Sequence, residues 1–382
     1  MQPPRVSSHS RRVRLRLLIR RILRRDSSSP RLLLLAVGVG LLTGLICCSF
    51  EVALDELVQV RLTGLLTLPP LWRWVVAFVT GALMAGFAIW LAHRFAPEAG
   101  GSGIPEIEGA LEGIRPVRWP RVLPVKFFGG LTALGSGMIL GREGPSVQIG
   151  GNVGAMVATL ARNSADTRHA LLAAGAAAGL TAAFNAPLAA ILFVLEELRA
   201  QFRYSFVSVK AVSVAVISAT LVRHLLLGDK PIFPMPELTA PPLSHLGAYL
   251  LLGCVAGVCG TLLNRLVGWG QDLYLKWHRG RRSVLVVTVA LVGGCFGLLS
   301  LTTLGWHSGG MVQIPHWMAM DLPLQVVVAL LLWRTLGTLL CFCSGIPGGI
   351  FAPLLALGTL LGVVWAQGVG IWFPEMASSQ MA

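Results

Sequence analysis

Charge is scarce in this 382-residue chain: Asp, Glu, Lys and Arg together make up 13% of it, against 54% hydrophobic residues. With a mean hydropathy of +0.72, that composition excludes an ordinary soluble globular protein, and no stretch is long and polar enough to form a sizeable soluble domain. No nucleotide-binding regulatory domain is expected. The eight histidines form no HExxH pattern, so a zinc peptidase site is not supported. Cysteine is limited to Cys47, Cys48, Cys254, Cys259, Cys295, Cys341 and Cys343. An odd number argues against a complete disulfide framework, and the lack of metal-ligand spacing with nearby histidines leaves them as packing residues. No cofactor and no metal is expected.

The net charge of +14 is concentrated rather than spread. Residues 1–31 hold ten arginines against the single acid Asp26 and so supply +9. What remains is too weakly basic to bind a nucleic-acid duplex. An arginine-rich arm ahead of the first apolar run predicts a cytoplasmic N-terminus lying on anionic lipid. The run continues past Phe50 without a small-residue cleavage site, which argues against a cleaved signal peptide.

Apolar runs suited to crossing a bilayer cover Leu32–Phe50, Leu71–Phe95, Val122–Leu140, Val209–Leu227, Leu243–Val267, Val284–Leu304, Leu322–Phe342 and Phe351–Phe373. Ile104–Gly113 and Ala170–Ala183 read as too short or too glycine-rich. The mixture predicts an all-α, polytopic membrane protein with tilted and broken helices. Gly228–Pro242 and Lys276–Ser283 read as surface loops. Glycine pairs at 40/44, 175/179, 253/257, 293/297 and 358/362 predict close helix packing.

Three segments break this pattern in the same way. Gly101-Ser102-Gly103-Ile104-Pro105-Glu106 sets a serine at a glycine-flanked break before a short helix. Gly141-Arg142-Glu143-Gly144-Pro145 puts an acid in membrane-grade surroundings, where ionisable groups are costly and usually functional. Ser344 to Leu354, containing Gly349-Ile350-Phe351-Ala352-Pro353, repeats the design without charge. Glycines free backbone amides and prolines suit a first helical turn. Three such helix starts converge donors on one anion.

These segments resemble the signatures of the CLC family of chloride channels and chloride/proton antiporters. Lys126-Phe127-Phe128-Gly129-Gly130 and Asn185-Ala186-Pro187-Leu188 with Glu196-Glu197 are similar to its bacterial antiporter branch, and the likeness runs from about Leu32 to about Phe373. The resemblance implies that the Ser102 hydroxyl and the Ile350 and Phe351 amides bind the central chloride. Glu143 would be the external gate, displaced on protonation, and Glu197 the internal proton-transfer acid. The implied activity is chloride/proton exchange in a bacterial inner membrane, by a homodimer, with chloride and protons as the partners besides lipid. The implied fold is an inverted repeat, 32–228 and 243–382, behind the 1–31 segment.

One departure stands against the pattern. The family's tyrosine ligand comes from a later helix, and Tyr204, Tyr249 and Tyr274 do not occupy its context. Only 29 positions follow Pro353, against 83 from Pro145 to Gly228, so the second repeat is expected to be incomplete, with Trp372 to Glu375 as a loop. A truncated, inactive remnant is therefore an alternative, as is a passive channel of the same fold. More local readings also stand open. Glu143 could pair with Arg142, Glu197 could be a solvated helix end paired with Arg199 or Arg203, and Ser102 could simply cap its helix. Glu106, Glu108 and Glu112 read as a solvated face. A GxSG match at Gly100 to Gly103 raises an intramembrane serine hydrolase, which would need a histidine beside Ser102.

Overall fold

The computed structural model describes residues 30–162, 164–197, 205–229, 231–233, 243–319 and 322–372. The arginine-rich residues 1–29, Arg199, Arg203, Tyr204 and residues 373–375 fall outside them, while Trp372, expected in a loop, is the last residue of a helix. Thirteen α-helices occupy the described residues. The first half holds α1 (Pro30–Leu66), α2 (Pro70–Phe95), α3 (Ile104–Leu111), α4 (Trp119–Gly135), α5 (Glu143–Leu160), α6 (Ala165–Phe184), α7 (Pro187–Glu197) and α8 (Phe206–Leu227). The second holds α9 (Leu246–His278), α10 (Arg282–Leu299), α11 (Ile314–Ala319), α12 (Leu324–Phe342) and α13 (Phe351–Trp372).

Helix ends follow local chemistry. Ser205 Oγ accepts the Ser208 amide at 3.0 Å to cap α8, which stops at Gly228. Ser164 caps α6 through the Thr167 amide, and Asn185 closes that helix in the left-handed region. Pro97 follows directly on the end of α2, and Pro187 opens α7. Among the described residues seven helices are long and apolar enough to cross a membrane, and the chain is a multi-pass membrane protein.

Four expectations need correcting. Ala170–Ala183 belongs to a 20-residue helix, α6, buried from Ala170 to Ala183. Its low side-chain bulk is what lets it sit inside the protein, because helices in lipid associate through close packing of small residues. The loop expected at Lys276–Ser283 shrinks to residues 279–281, since α9 runs on to His278 and α10 begins at Arg282. Among the cysteines only Cys47, Cys48, Cys341 and Cys343 are buried, whereas Cys254, Cys259 and Cys295 are exposed.

The glycine pairs divide. Gly175 and Gly179 abut the backbones of Gly150 and Ser146, so α5 and α6 cross at backbone contact. Gly40 and Gly44 receive Ala215, Ser218 and Ala219 of α8, and Gly293 and Gly297 meet Ala77, Gly81 and Ala85 of α2. Gly253, Gly257 and Gly358 have nothing within 4 Å among the described residues, so the close packing expected at these three is not observed. No residue of α9 is buried.

Candidate functional site

The site forms where the starts of α3, α5 and α13 meet. Gly141 and Gly349, the first residues of the two G-x-x-x-P segments, exchange both backbone hydrogen bonds at 2.7 Å as an isolated antiparallel bridge. A second clip joins the Ser102 loop to the same strand: Gly101 N donates to Gly345 O and Gly348 N to Gly101 O, each at 3.0 Å. Gly144 lies so close to Ser102 that a Cβ there would stand 2.6 Å from the Ser102 carbonyl oxygen. Gly103 has φ 86°, and a side chain there would run into Gln148. Glycine at both positions is thus a requirement of close approach.

Glu143 is the first residue of α5 and is 1% exposed. Its Oε2 accepts the Ala352 amide at 3.4 Å, and its Oε1 has no hydrogen-bond partner. A carboxylate is thereby set against the amide end of α13, where the first peptide N–H groups have no intrahelical acceptor and the helix dipole favours negative charge. The Ile350 and Phe351 amides belong to that same open end. The Phe351 ring stacks edge-on against Phe184 at 5.2 Å, fixing the start of α13 against the end of α6.

Ser102 Oγ accepts the Ile104 amide at 3.2 Å, so it does cap the turn into α3. A hydroxyl that accepts through its oxygen still has its proton to donate, so capping and anion binding are compatible. Ser102 Oγ shows no histidine partner among the described residues. Pro105, Pro145 and Pro353 lie in the first turns of α3, α5 and α13. Ser102, Glu143, Ile350 and Phe351, selected from three distant segments, are therefore gathered at one place.

Arg142, although beside Glu143, makes its ion pair elsewhere. Arg142 Nη2 reaches Glu51 Oε1 on α1 at 2.9 Å, and Arg223 Nη1 on α8 reaches Glu51 Oε2 at 2.7 Å. Arg223 Nη1 also donates to Ala182 O at 2.6 Å. One acid thus ties α1, the turn into α5, the end of α6 and α8 together, one residue from Glu143. Lys126 on α4 is fully buried and donates to Ala99 O at 3.0 Å and Gly101 O at 2.7 Å, pinning the Ser102 loop. Sequence reasoning assigned no role to Glu51 or Lys126. The signal for Lys126 was a lone charge within an apolar run, and for Glu51 an acid set directly at the end of one.

Glu197 is apart from this centre, exposed at the last turn of α7. Glu108 on α3 lies within electrostatic reach of Glu197 and Glu112, whereas Glu106 pairs with Arg115 and Glu98 with Arg118. No group of three His, Cys, Asp or Glu residues able to hold a metal occurs among the described residues.

Comparison with known proteins identifies the family. The profile of the family described as voltage gated chloride channel matches residues 84–382. The chain is 49% identical over 365 residues to the H(+)/Cl(-) exchange transporter ClcA of Vibrio cholerae, covering 94% of this chain and 77% of that one. It is 48% identical over 361 residues to the ClcA transporter of Yersinia pestis, covering 94% and 76%. A crystal structure of a slow cyanobacterial Cl-/H+ antiporter superposes with a TM-score of 0.84 at 35% identity, covering 91% of this chain and 81% of that one. With its profile, its relatives and its fold in agreement, the chain belongs to the voltage gated chloride channel family.

Proposed function

We propose that the chain exchanges chloride for protons across a bacterial inner membrane, with Glu143 as the gate. The observation that carries the reading is a buried carboxylate seated on the Ala352 amide with its other oxygen unpaired. While ionised, the carboxylate occupies the same amide end that an anion would use, so carboxylate and chloride exclude one another. Protonation removes the charge that those amides hold and favours replacement by chloride. Ser102 supplies a hydroxyl and Ile350 and Phe351 supply amides for the central ion. This couples a proton to each opening of the site.

Glu197 serves as the internal proton acid, reached from the face opposite the gate, with Glu108 as a neighbouring carboxylate on the same route. A proton path separate from the anion path needs an acid accessible from each side, and an exposed Glu197 meets that need. The N-terminus is cytoplasmic by its arginine content. Two copies pair through α7 and α8, whose Leu188, Leu192, Leu221 and Leu225 are exposed at 69%, 48%, 58% and 85%. The two repeats are 32–228 and 243–382.

The test is simultaneous measurement of chloride efflux and proton uptake in chloride-loaded liposomes under a potassium clamp. Opposed, coupled fluxes are expected. Glu143→Gln should give uncoupled, pH-independent chloride movement, and Glu197→Gln should abolish proton movement while chloride still moves. Parent chloride flux without proton movement would instead establish a passive channel, and coupled transport that survives Glu143→Gln would remove the gate assignment.

A further inference from the structure

We propose that the cleft between the end of α2 and the start of α4 binds the headgroup phosphate of an anionic phospholipid. The cleft has a volume of about 550 Å³ and is lined by Leu91, Arg94 and Phe95 of α2 and by Pro120, Arg121, Pro124 and Val125 of α4. That volume falls in the range of small-molecule sites, roughly 300–1,000 Å³. Its walls are apolar and its two polar groups are both guanidinium ions.

Neither Arg94 nor Arg121 has a carboxylate or carbonyl partner among the described residues. The nearby acid Glu98 is engaged with Arg118 at 3.2 Å, and the Arg94 guanidinium rests over the Phe95 ring at 5.3 Å. Two unpaired guanidinium ions facing one cleft call for an anion, and their planar forks match phosphate oxygens. The N-terminal end of α4 adds a favourable dipole.

The depth of the cleft selects lipid as the source of that anion. On α2, Trp72 and Trp74 at one end and Trp90 and Phe95 at the other are exposed at 60%, 48%, 45% and 47%. Trp72 and Trp90 are about 27 Å apart along the helix at 1.5 Å per residue, close to the ~30 Å hydrocarbon thickness whose edges aromatic residues mark. Arg94 lies one helical turn beyond Trp90 and beside Phe95, at the level of the phosphates. Leu91, one turn back on α2, then lines the apolar wall below it. His93 is also within electrostatic reach of Arg282 and His278, so the 279–281 turn shares this end of the protein and makes it strongly basic. Basic pockets between membrane helices on the cytoplasmic side suit such headgroups.

The experiment is native mass spectrometry of the full chain released from detergent, titrated separately with phosphatidylglycerol and phosphatidylcholine. Phosphatidylglycerol should be retained in preference. Arg94→Gln with Arg121→Gln should weaken its binding about 30-fold, with each single variant contributing about fivefold, and leave phosphatidylcholine binding unchanged. Both side chains are exposed, so elution and thermal midpoint should match the parent; if the double variant does not fold, the single variants carry the test. Equal retention of the two lipids, no loss in either single variant, or an equal loss in Arg279→Gln with Arg281→Gln would overturn the proposal. Displacement of the lipid by equimolar inorganic phosphate would also overturn it, by showing a free-ion site.

Discussion

Glu51→Gln should be among the most damaging single changes outside the ion pathway. The Glu51 carboxylate is 12% exposed and holds Arg142 at 2.9 Å and Arg223 at 2.7 Å, whose side chains are 17% and 6% exposed. Glutamine keeps the shape but removes the charge, leaving Arg223 with the Ala182 carbonyl and Arg142 without a strong partner. Breaking a buried ion pair by removing one member costs about 3–5 kcal/mol, because the surviving charge stays desolvated. The thermal midpoint in detergent should therefore fall by on the order of 5–10 °C. Glu56→Gln, five residues further along the same helix and exposed, should change the stability by less than about 0.5 kcal/mol. In liposomes Glu51→Gln removes a negative charge near Glu143, the proposed gate, and frees Arg142 beside it. Asp55, Arg223 and Cys48 are the other titratable groups around this network. Chloride flux should accordingly need a lower external pH, and Glu51→Gln with Arg142→Gln should move it back. A midpoint within 1 °C of the parent, with an unshifted pH profile, would refute the idea that Glu51 holds this corner together.

Other expectations follow from the same geometry. Lys126→Met leaves the Ala99 and Gly101 carbonyls without their buried donor and should weaken chloride binding at least about tenfold by calorimetry. Gly175→Ala drives a methyl into the Gly150 carbonyl and should destabilise the fold by roughly 1–3 kcal/mol or more. By contrast Gly253→Ala, with nothing within 4 Å, should gain up to about 1 kcal/mol from helix propensity. Burial, reinforced by Arg61 and Arg334, pushes the His307 imidazole in the loop after α10 down to about 4. The unfolded chain then binds the proton that the folded one refuses. His307 thus contributes stability that is full above about pH 6.5 and is lost as pH falls toward 4. His307→Gln should flatten that part of the midpoint-against-pH curve, and an unchanged acid slope would show that the loop opens to admit the proton.

Much of this was legible because membrane helices announce themselves by apolar length and their breaks by glycine and proline. Ser102, Glu143, Ile350 and Phe351 each sit where such a break frees amides, but the break alone left a cap or an ion pair as alternatives, and it was the resemblance to the family that singled these four out. α6 was misjudged because its alanines and glycines lower hydropathy while suiting it for burial. Glu51 escaped notice because its partners, Arg142 and Arg223, lie 91 and 172 residues further along the chain. Lys126 escaped because its partners are backbone carbonyls, which carry no signature of their own. Gly40/Gly44 and Gly253/Gly257 have the same spacing, yet only the first pair meets a neighbouring helix among the described residues. Spacing advertises a surface that could be packed; it does not name the occupant.

The paired hydrogen bonds between Gly141 and Gly349 constrain how any cycle of this protein can run. Many repeat-built transporters expose a midplane site to each side in turn by rocking one half against the other. Here the halves are stapled at the very peptides that border the site, and parting them would expose two unmatched amides and two unmatched carbonyls in a dry interior. On the proposed reading of Glu143 as the gate, the scaffold serves as a stator and the moving part reduces to a side chain. A spin-label pair reporting across the staple should register one distance through a full turnover, while a fluorine probe beside Glu143 would register two environments.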